Sequence, residues 1–374
     1  APMPEQPVPE DHREAMQAAL RYVETHLVEA TAEQPLVWQN GARQYRVHLK
    51  RDPVVSPTEL EHAVLEVTAD VNGVAMTARL PARRVAFSHY AQLVDRWNPD
   101  VSLAGDRILG RFHANTGINV EADRDHAPLI TGLSTVAGGV HFAGRARREE
   151  VFPSGLQTGA PPLPLPRTVL DWEAMSPGEE HVHRLSRDTH VLFRADGSYQ
   201  WREQGSDAVN TVRPSHSPWL LVADQGVDVQ VEGTVAGSLL VYSPTRVTVS
   251  GDLRYAHDPQ RGPSDDFLGL VSDAYVEIAD STITGPGDLE VQAAVFAGRQ
   301  FRVRHYRRRD GGTLKIFGSV TAGSLSATEP RFSTLLEYDS RLEHSRPAYF
   351  PMTDHYELDD LHPTWTLAAA NAAD

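Results

Sequence analysis

At 374 residues with a formal charge of −15, the chain is long for a single ordinary core and too acidic for non-specific nucleic-acid binding. Its 40% hydrophobic content excludes a wholly disordered chain, and the lack of cysteine excludes disulfides and cysteine-ligated zinc. No apolar run reaches the roughly 18 residues that a membrane-spanning helix needs.

The chain opens on "APMPEQPVPE", a Pro-rich tether with neither an initiator Met nor a signal peptide, as expected of a trimmed product. Residues 11–32 read as a helix. Asp11 is the N-cap with Glu14 three residues on, and Ala15, Ala19, Tyr22, Val23, Leu27 and Ala30 recur at helical spacing. Residues 36–80 alternate apolar and polar around a hairpin turn at Asn72-Gly73. Residues 85–97 read as a second, shorter helix ended by Asn98-Pro99. Residues 1–100 thus form an N-terminal helix and a small α+β cap, which a solenoid needs to cover its open end.

From residue 106 short strands begin, in "RILGRFHANTGINVEAD" and "PLITGLSTVAGGVHFAG". Their inward set is Ile108, Phe112, Ile118, Val120, Ile130, Val136, Val140 and Phe142. An insert at 159–205 interrupts them. It holds a Pro-rich connector at 159–172, unsuited to a central strand, and a hairpin at 188–202 turning on Asp196-Gly197. That hairpin pairs the Val191/Phe193 side with Tyr199/Trp201.

Residues 219–323 carry the strongest pattern. Four frames, "VDVQVEG", "VTVSGD", "VEIADS" and "LKIFGS", alternate apolar and polar residues, and three close on a glycine at Gly233, Gly251 and Gly318. A second series, "WLLV", "SLLVY", "FLGLVS" and "LEVQAAVFA", precedes them frame by frame. Repeats of roughly 20–25 residues with short strands and no helix indicate a β-solenoid. The expectation is a mainly-β protein: a right-handed parallel β-helix over 101–330. The tail at 331–374 is expected to pack back along it through Tyr338, Tyr349, Phe350, Tyr356 and Trp365. Val249 falls in an inner column, so Val249→Asp is expected to unfold the protein while Arg246→Ala leaves it intact.

The order of motifs, "LGRFHANTGINV", "GGVHFAG", "GAPPLPLP", "HVLFRADGSYQW", "LLVYSPTRVTVSGDL", "LGLVSDAYVEI", "GTLKIFGSV" and "YDSRLEHSRPAYFP", resembles a family of bacterial type IV pilus-associated envelope proteins. In that family a pilin-like hydrophobic helix precedes a predicted β-helical body. The resemblance spans about residues 107–351, implies an exported, cell-surface or pilus-linked role, and supplies no catalytic residues. The hydrophobic helix is lacking here.

Several clusters are candidates for chemistry. Glu121, Asp123 and Asp125, with His126, offer hard oxygen ligands for calcium; the competing reading is a solvated turn. His181 and His183 alternate on one strand face, which seats a metal only with a third ligand from elsewhere. Asp265-Asp266 lies in an insert between strands, as a turn cap or an ion ligand. Arg304, Tyr306, Arg307, Arg308 and Arg309 stand out against the negative charge as a contact for an anionic glycan, phosphate or lipid headgroup, or else pair with neighbouring acidic strands. No nucleophile elbow, P-loop, zincin or dinucleotide fingerprint occurs. The leading reading is a non-catalytic pilus subunit, adhesin or assembly scaffold. Its partners are other pilus or envelope subunits, a surface glycan or further copies of itself, and membrane contact comes only through an upstream anchor. The alternatives are a polysaccharide lyase or hydrolase, and a self-assembling filament or surface-layer component.

Overall fold

The structure is a computed structural model that describes residues 6–7, 10–25, 36–40, 43–53, 56–71, 74–167, 170, 177–358 and 364–367. The protein is mainly β with a helix near its N-terminus, and it divides into two compact units, Ala1–Val85 with Met352–Asp374, and Ala86–Pro351.

In the first unit the helix Glu10–Thr25 buries Ala15, Met16 and Ala19, the single stripe that helical spacing puts on one side. Asp11 lies inside the helix and pairs with Arg43, so it does not serve as the N-cap. The expected extension through Leu27 and Ala30 lies outside the described residues. Strands Leu36–Asn40, Arg43–Arg51, His62–Val71 and Val74–Ala86 form an antiparallel sheet in chain order. Tyr45, Val47 and Leu49 alternate with exposed or half-buried neighbours, and they share one core with Leu65, Val67, Leu80 and the helix stripe. Val71 faces Val74, the register a two-residue turn imposes; residues 72–73 themselves lie outside the described residues.

The tail divides, contrary to the expectation that all of it packs along the repeats. Strands Met352–Leu358 and Thr364–Leu367 join the first unit's sheet beside Val74–Ala86. The reason is polar as well as apolar. Buried Tyr356 donates its hydroxyl to Glu61 Oε1 at 2.5 Å, and Thr353 Oγ1 donates to the Val85 carbonyl at 2.7 Å. Glu61 is itself held by Arg84 at 3.0 Å, so the tail completes a network that begins in the sheet. Residues 86–351 are therefore inserted in the chain between two strands of one sheet.

The helix expected over 85–97 is absent. A single 3₁₀ turn, Phe87–His89, leads into the strand Gln92–Val94. Every residue from Val85 to Ala91 is buried, which a surface helix with one apolar stripe does not allow. His89 Nδ1 closes the turn by accepting the Ala86 N–H at 3.0 Å.

In the second unit most strands pair in parallel, many of them with the strand after next. Three ladders result. The first registers Leu221, Val241, Leu270, Val295 and Val320. A second registers Val191, Val231, Val249, Ile278 and Val303. The third registers Phe193, Gly233, Leu253, Val291, Ile316, Leu336, Ile108 and Ile130. Their aliphatic members are all buried in one core. At the start of the stack the expected hairpin is present: Thr189–Phe193 pairs antiparallel with Tyr199–Glu203, Val191 facing Trp201 and Phe193 facing Tyr199. Tyr199–Glu203 continues antiparallel onto Asn210–Val212, so the large sheet is mixed.

Two expectations about order fail. "LKIFGS" does not stack on "VEIADS": Leu314 pairs with Leu289, whereas Val276 pairs with Phe301. Nor do the strands of 92–158 precede the stack. Gln92 pairs with Val320 and Ile108 with Leu336, so these strands continue the ladders beyond the strand Gly311–Ala322, and Leu156–Thr158 lies furthest along. Residues 159–181 then connect that end of the stack to the strand Val182–Leu185 at the other end. In the inward set, Val140 and Phe142 are only half-buried. Gly233 and Gly318 have φ of +111° and +150°, and a Cβ there would lie 2.2 Å from the Phe193 carbonyl oxygen and 1.9 Å from that of Ala293. Glycine at both is thus required by the approach of the adjoining strand.

Candidate functional site

The arginine segment sits where two turns of adjoining strands meet. The strand Tyr275–Ile278 leads to Asp280, whose side chain accepts the Thr282 N–H at 2.8 Å and starts the single turn Ser281–Thr284. The adjoining strand Gln300–Val303 runs into residues 304–310 before Gly311–Ala322 begins. Asp280 pairs with His305, which lies in the left-handed region at φ +48°, and with Arg308 at 3.4 Å. The Thr282 N–H and the His305 contact hold the Asp280 carboxyl well below the usual carboxylate range. Arg308 also donates to Ser281 Oγ at 3.1 Å, and Ser281 donates onward to Asp310 Oδ2 at 2.6 Å.

Beneath this segment lies Arg331, 1% exposed. Its guanidinium donates to the Arg304 carbonyl at 2.7 Å and to Thr284 Oγ1 at 3.0 Å, and lies 4.7 Å from the centre of the Phe332 ring. Burial lowers its pKa. Sequence reasoning missed this residue: one Arg beside Pro330 carries no signal that it would anchor a turn some 25 residues earlier.

The five residues expected to face an anion therefore separate. Arg304 approaches the buried carboxylate of Glu277 at 3.6 Å, which Arg302 already holds at 2.7 Å and Arg246 at 3.6 Å. Arg308 is engaged by Asp280. Tyr306 packs half-buried against the core, with Arg307 at 5.6 Å over its ring. Arg307 and Arg309 are exposed and form no ion pair with the described residues. The outward positive face is thus Arg307 and Arg309, on a turn whose shape is set by Asp280, Asp310 and Arg331.

The other candidates are placed apart. Asp123 Oδ1 accepts the N–H groups of Asp125 at 2.8 Å and His126 at 2.7 Å, which lowers its pKa, while Glu121 lies on a strand opposite Ala143. Among the described residues no three His, Cys, Asp or Glu side chains gather to hold a metal; Asp123 caps the turn that carries Asp125, and Glu121 stands on the strand before it. His181 and His183 go to separate partners: His181 Nδ1 meets the Pro218 carbonyl at 2.7 Å, and His183 Nδ1 meets the Tyr199 hydroxyl at 2.7 Å. Asp266 is buried and accepts the N–H groups of Gly237 at 2.7 Å and His257 at 2.8 Å, a clasp between two loops.

No protein-family model matches the chain, and no curated protein matches it. Among solved structures it is similar to the competence-associated pilin ComZ from Thermus thermophilus, at a TM-score of 0.38 and 12% identity, over 96% of this chain and 95% of that one.

Proposed function

We propose that residues 86–351 form a right-handed β-solenoid that serves as a non-catalytic scaffold at the bacterial cell surface. In this reading it associates with pilus or other envelope subunits and presents Arg307 and Arg309 to an anionic surface glycan. The observation that carries the coil reading is register. Three parallel ladders share one core, and the third keeps its partners in step through eight strands. Neighbouring turns then come out on the same side at a fixed rise, which suits a surface that must hold its shape against a partner. The surface location rests on the order of sequence motifs. The glycan contact rests on two exposed guanidinium groups, those of Arg307 and Arg309, that form no ion pair among the described residues of an acidic chain.

The test has two parts. Antibody labelling of intact producing cells should decorate the surface or its filaments; protein confined to the cytosolic fraction overturns the location. Binding to an acidic polysaccharide such as polygalacturonate should weaken at least tenfold in the Arg307→Glu, Arg309→Glu double variant. An unchanged affinity removes the arginine face from the reading, and release of new reducing ends would turn it toward the enzyme.

A further inference from the structure

Where the strands of 92–158 continue the ladders beyond Gly311–Ala322, the core is incomplete. Val320 pairs with Gln92 and Leu336 with Ile108, and beside these pairs is a cavity of about 110 Å³. Leu103, Ile108, Phe301, Ile316 and Leu325 give it mostly apolar walls. Its charged lining is acidic. Asp106 and Glu329 contribute two carboxyls, and no Lys, Arg or His is among the described residues that line it. Gln92 Oε1 is a buried acceptor without a partner among the described residues. Of the lining hydroxyls, Ser326 Oγ accepts the Val303 N–H at 2.9 Å and donates to the Ala327 carbonyl at 2.9 Å, and Thr334 Oγ1 donates to Thr328 Oγ1 at 3.1 Å. Asp106 Oδ2 accepts the Ala104 N–H at 3.2 Å, and the carboxyl also takes its own backbone N–H. Glu329 is exposed, which puts its carboxyl at the solvent side of the site.

An apolar chamber whose lining adds two carboxyls and an unpaired acceptor selects a ligand with the opposite polarity: an aliphatic tail ending in a hydrogen-bonding cation. An apolar cavity of about 150 Å³ admits benzene, so this one admits a chain of about four carbons. We propose that the cavity is a binding site for a primary alkylammonium group, the butyl-length tail lying among the apolar walls and the –NH₃⁺ on Asp106, Glu329 and Gln92. A free aliphatic amine and a lysine side chain of a partner protein carry this same chemistry.

Calorimetry on the whole chain at pH 8, where Asp106 is ionised, tests the site. Methyl-, ethyl-, propyl- and n-butylammonium should bind progressively tighter, by about fourfold per buried methylene. The isosteric n-butanol should bind at least tenfold more weakly than n-butylammonium. Asp106→Asn should lose at least tenfold toward the ammonium and little toward the alcohol. Should that variant misfold by circular dichroism, Glu329→Gln, at the exposed side, carries the same comparison. Nα-acetyl-lysine N-methylamide separates the sources: if it binds like n-butylammonium the natural occupant is a lysine, and if only the free amines bind it is a small molecule. Methylammonium binding as tightly as n-butylammonium, or n-butanol matching it, overturns the proposal.

Discussion

Burial holds the Asp106 carboxyl up at about 6, above its ordinary 3.8, and nearby Glu329 pushes in the same direction. The native state therefore keeps this proton more tightly than the unfolded chain does. Its contribution to stability is full below pH 3.8, falls between about pH 4 and 6, and stays lost above that. Partial exposure reduces the effect, so the ionised group costs about 1–2 kcal/mol at pH 8. Asp106→Asn is expected to stabilise the protein by that amount at pH 8 and by almost nothing at pH 4, measured by urea unfolding at both. Equal effects at the two pH values would show that ionisation plays no part. A carboxyl kept at a cost to folding is consistent with a binding role, and neither the cost nor the cavity was legible in "SLAGDRILG", where Asp106 reads only as the start of the short strands. The cavity arises only when the segment meets strands some 200 residues later.

Individual strands were far more legible than single sites, because alternation and turn chemistry act over a few residues. "RQYRVHLKR" and "HVLFRADGSYQW" gave strands and hairpin pairing directly. The segment over 85–97 misled because continuous burial and helical periodicity look alike in so short an apolar run. Polar columns misled in another way. Asp228 and Arg246 face each other across adjoining strands, as do Thr248 and Glu277, and Arg302 follows Glu277. Asp228 and Glu277 are buried, and Arg246 stands 3.0 Å from the first and 3.6 Å from the second. Arg246 is therefore no bystander, contrary to the expectation from sequence. Arg246→Ala leaves two buried carboxylates short of a partner, and is expected to cost about 1–3 kcal/mol in urea unfolding. Val249→Asp, at a 1% exposed position between Val231 and Ile278, should leave no folded protein. An Arg246→Ala melt indistinguishable from the parent would mean that solvent screens the column more than its burial implies.

At the scale of the molecule, the order of the strands decides which distant residues share a fate. Leu336 lies between Ile316 and Ile108 in the third ladder and is 2% exposed. Sequence could not reveal this position, since Ile316, Leu336, Ile108 and Ile130 are interchangeable aliphatics and each would fit beside any other. Leu336→Ala removes packing on both sides of the junction where the strands of 92–158 continue the ladder, and is expected to cost about 2–5 kcal/mol. In a stack where each strand feels mainly its neighbours, the loss should spread outward and fade. Hydrogen exchange reads that spread at named amides. Val320 N–H donates to the Ala91 carbonyl at 2.9 Å, Leu129 N–H to Asp106 at 3.0 Å and Thr131 N–H to Ile108 at 2.9 Å. All three should exchange at least about tenfold faster in the variant, although Leu129 and Thr131 lie some 200 residues from the substitution in sequence. Ala256 N–H, which donates to Val235 at 2.8 Å several strands away, should change much less. If Leu129 and Thr131 keep their protection while Val320 loses it, the early strands do not continue the ladder, and the strands must stack in simple sequence order.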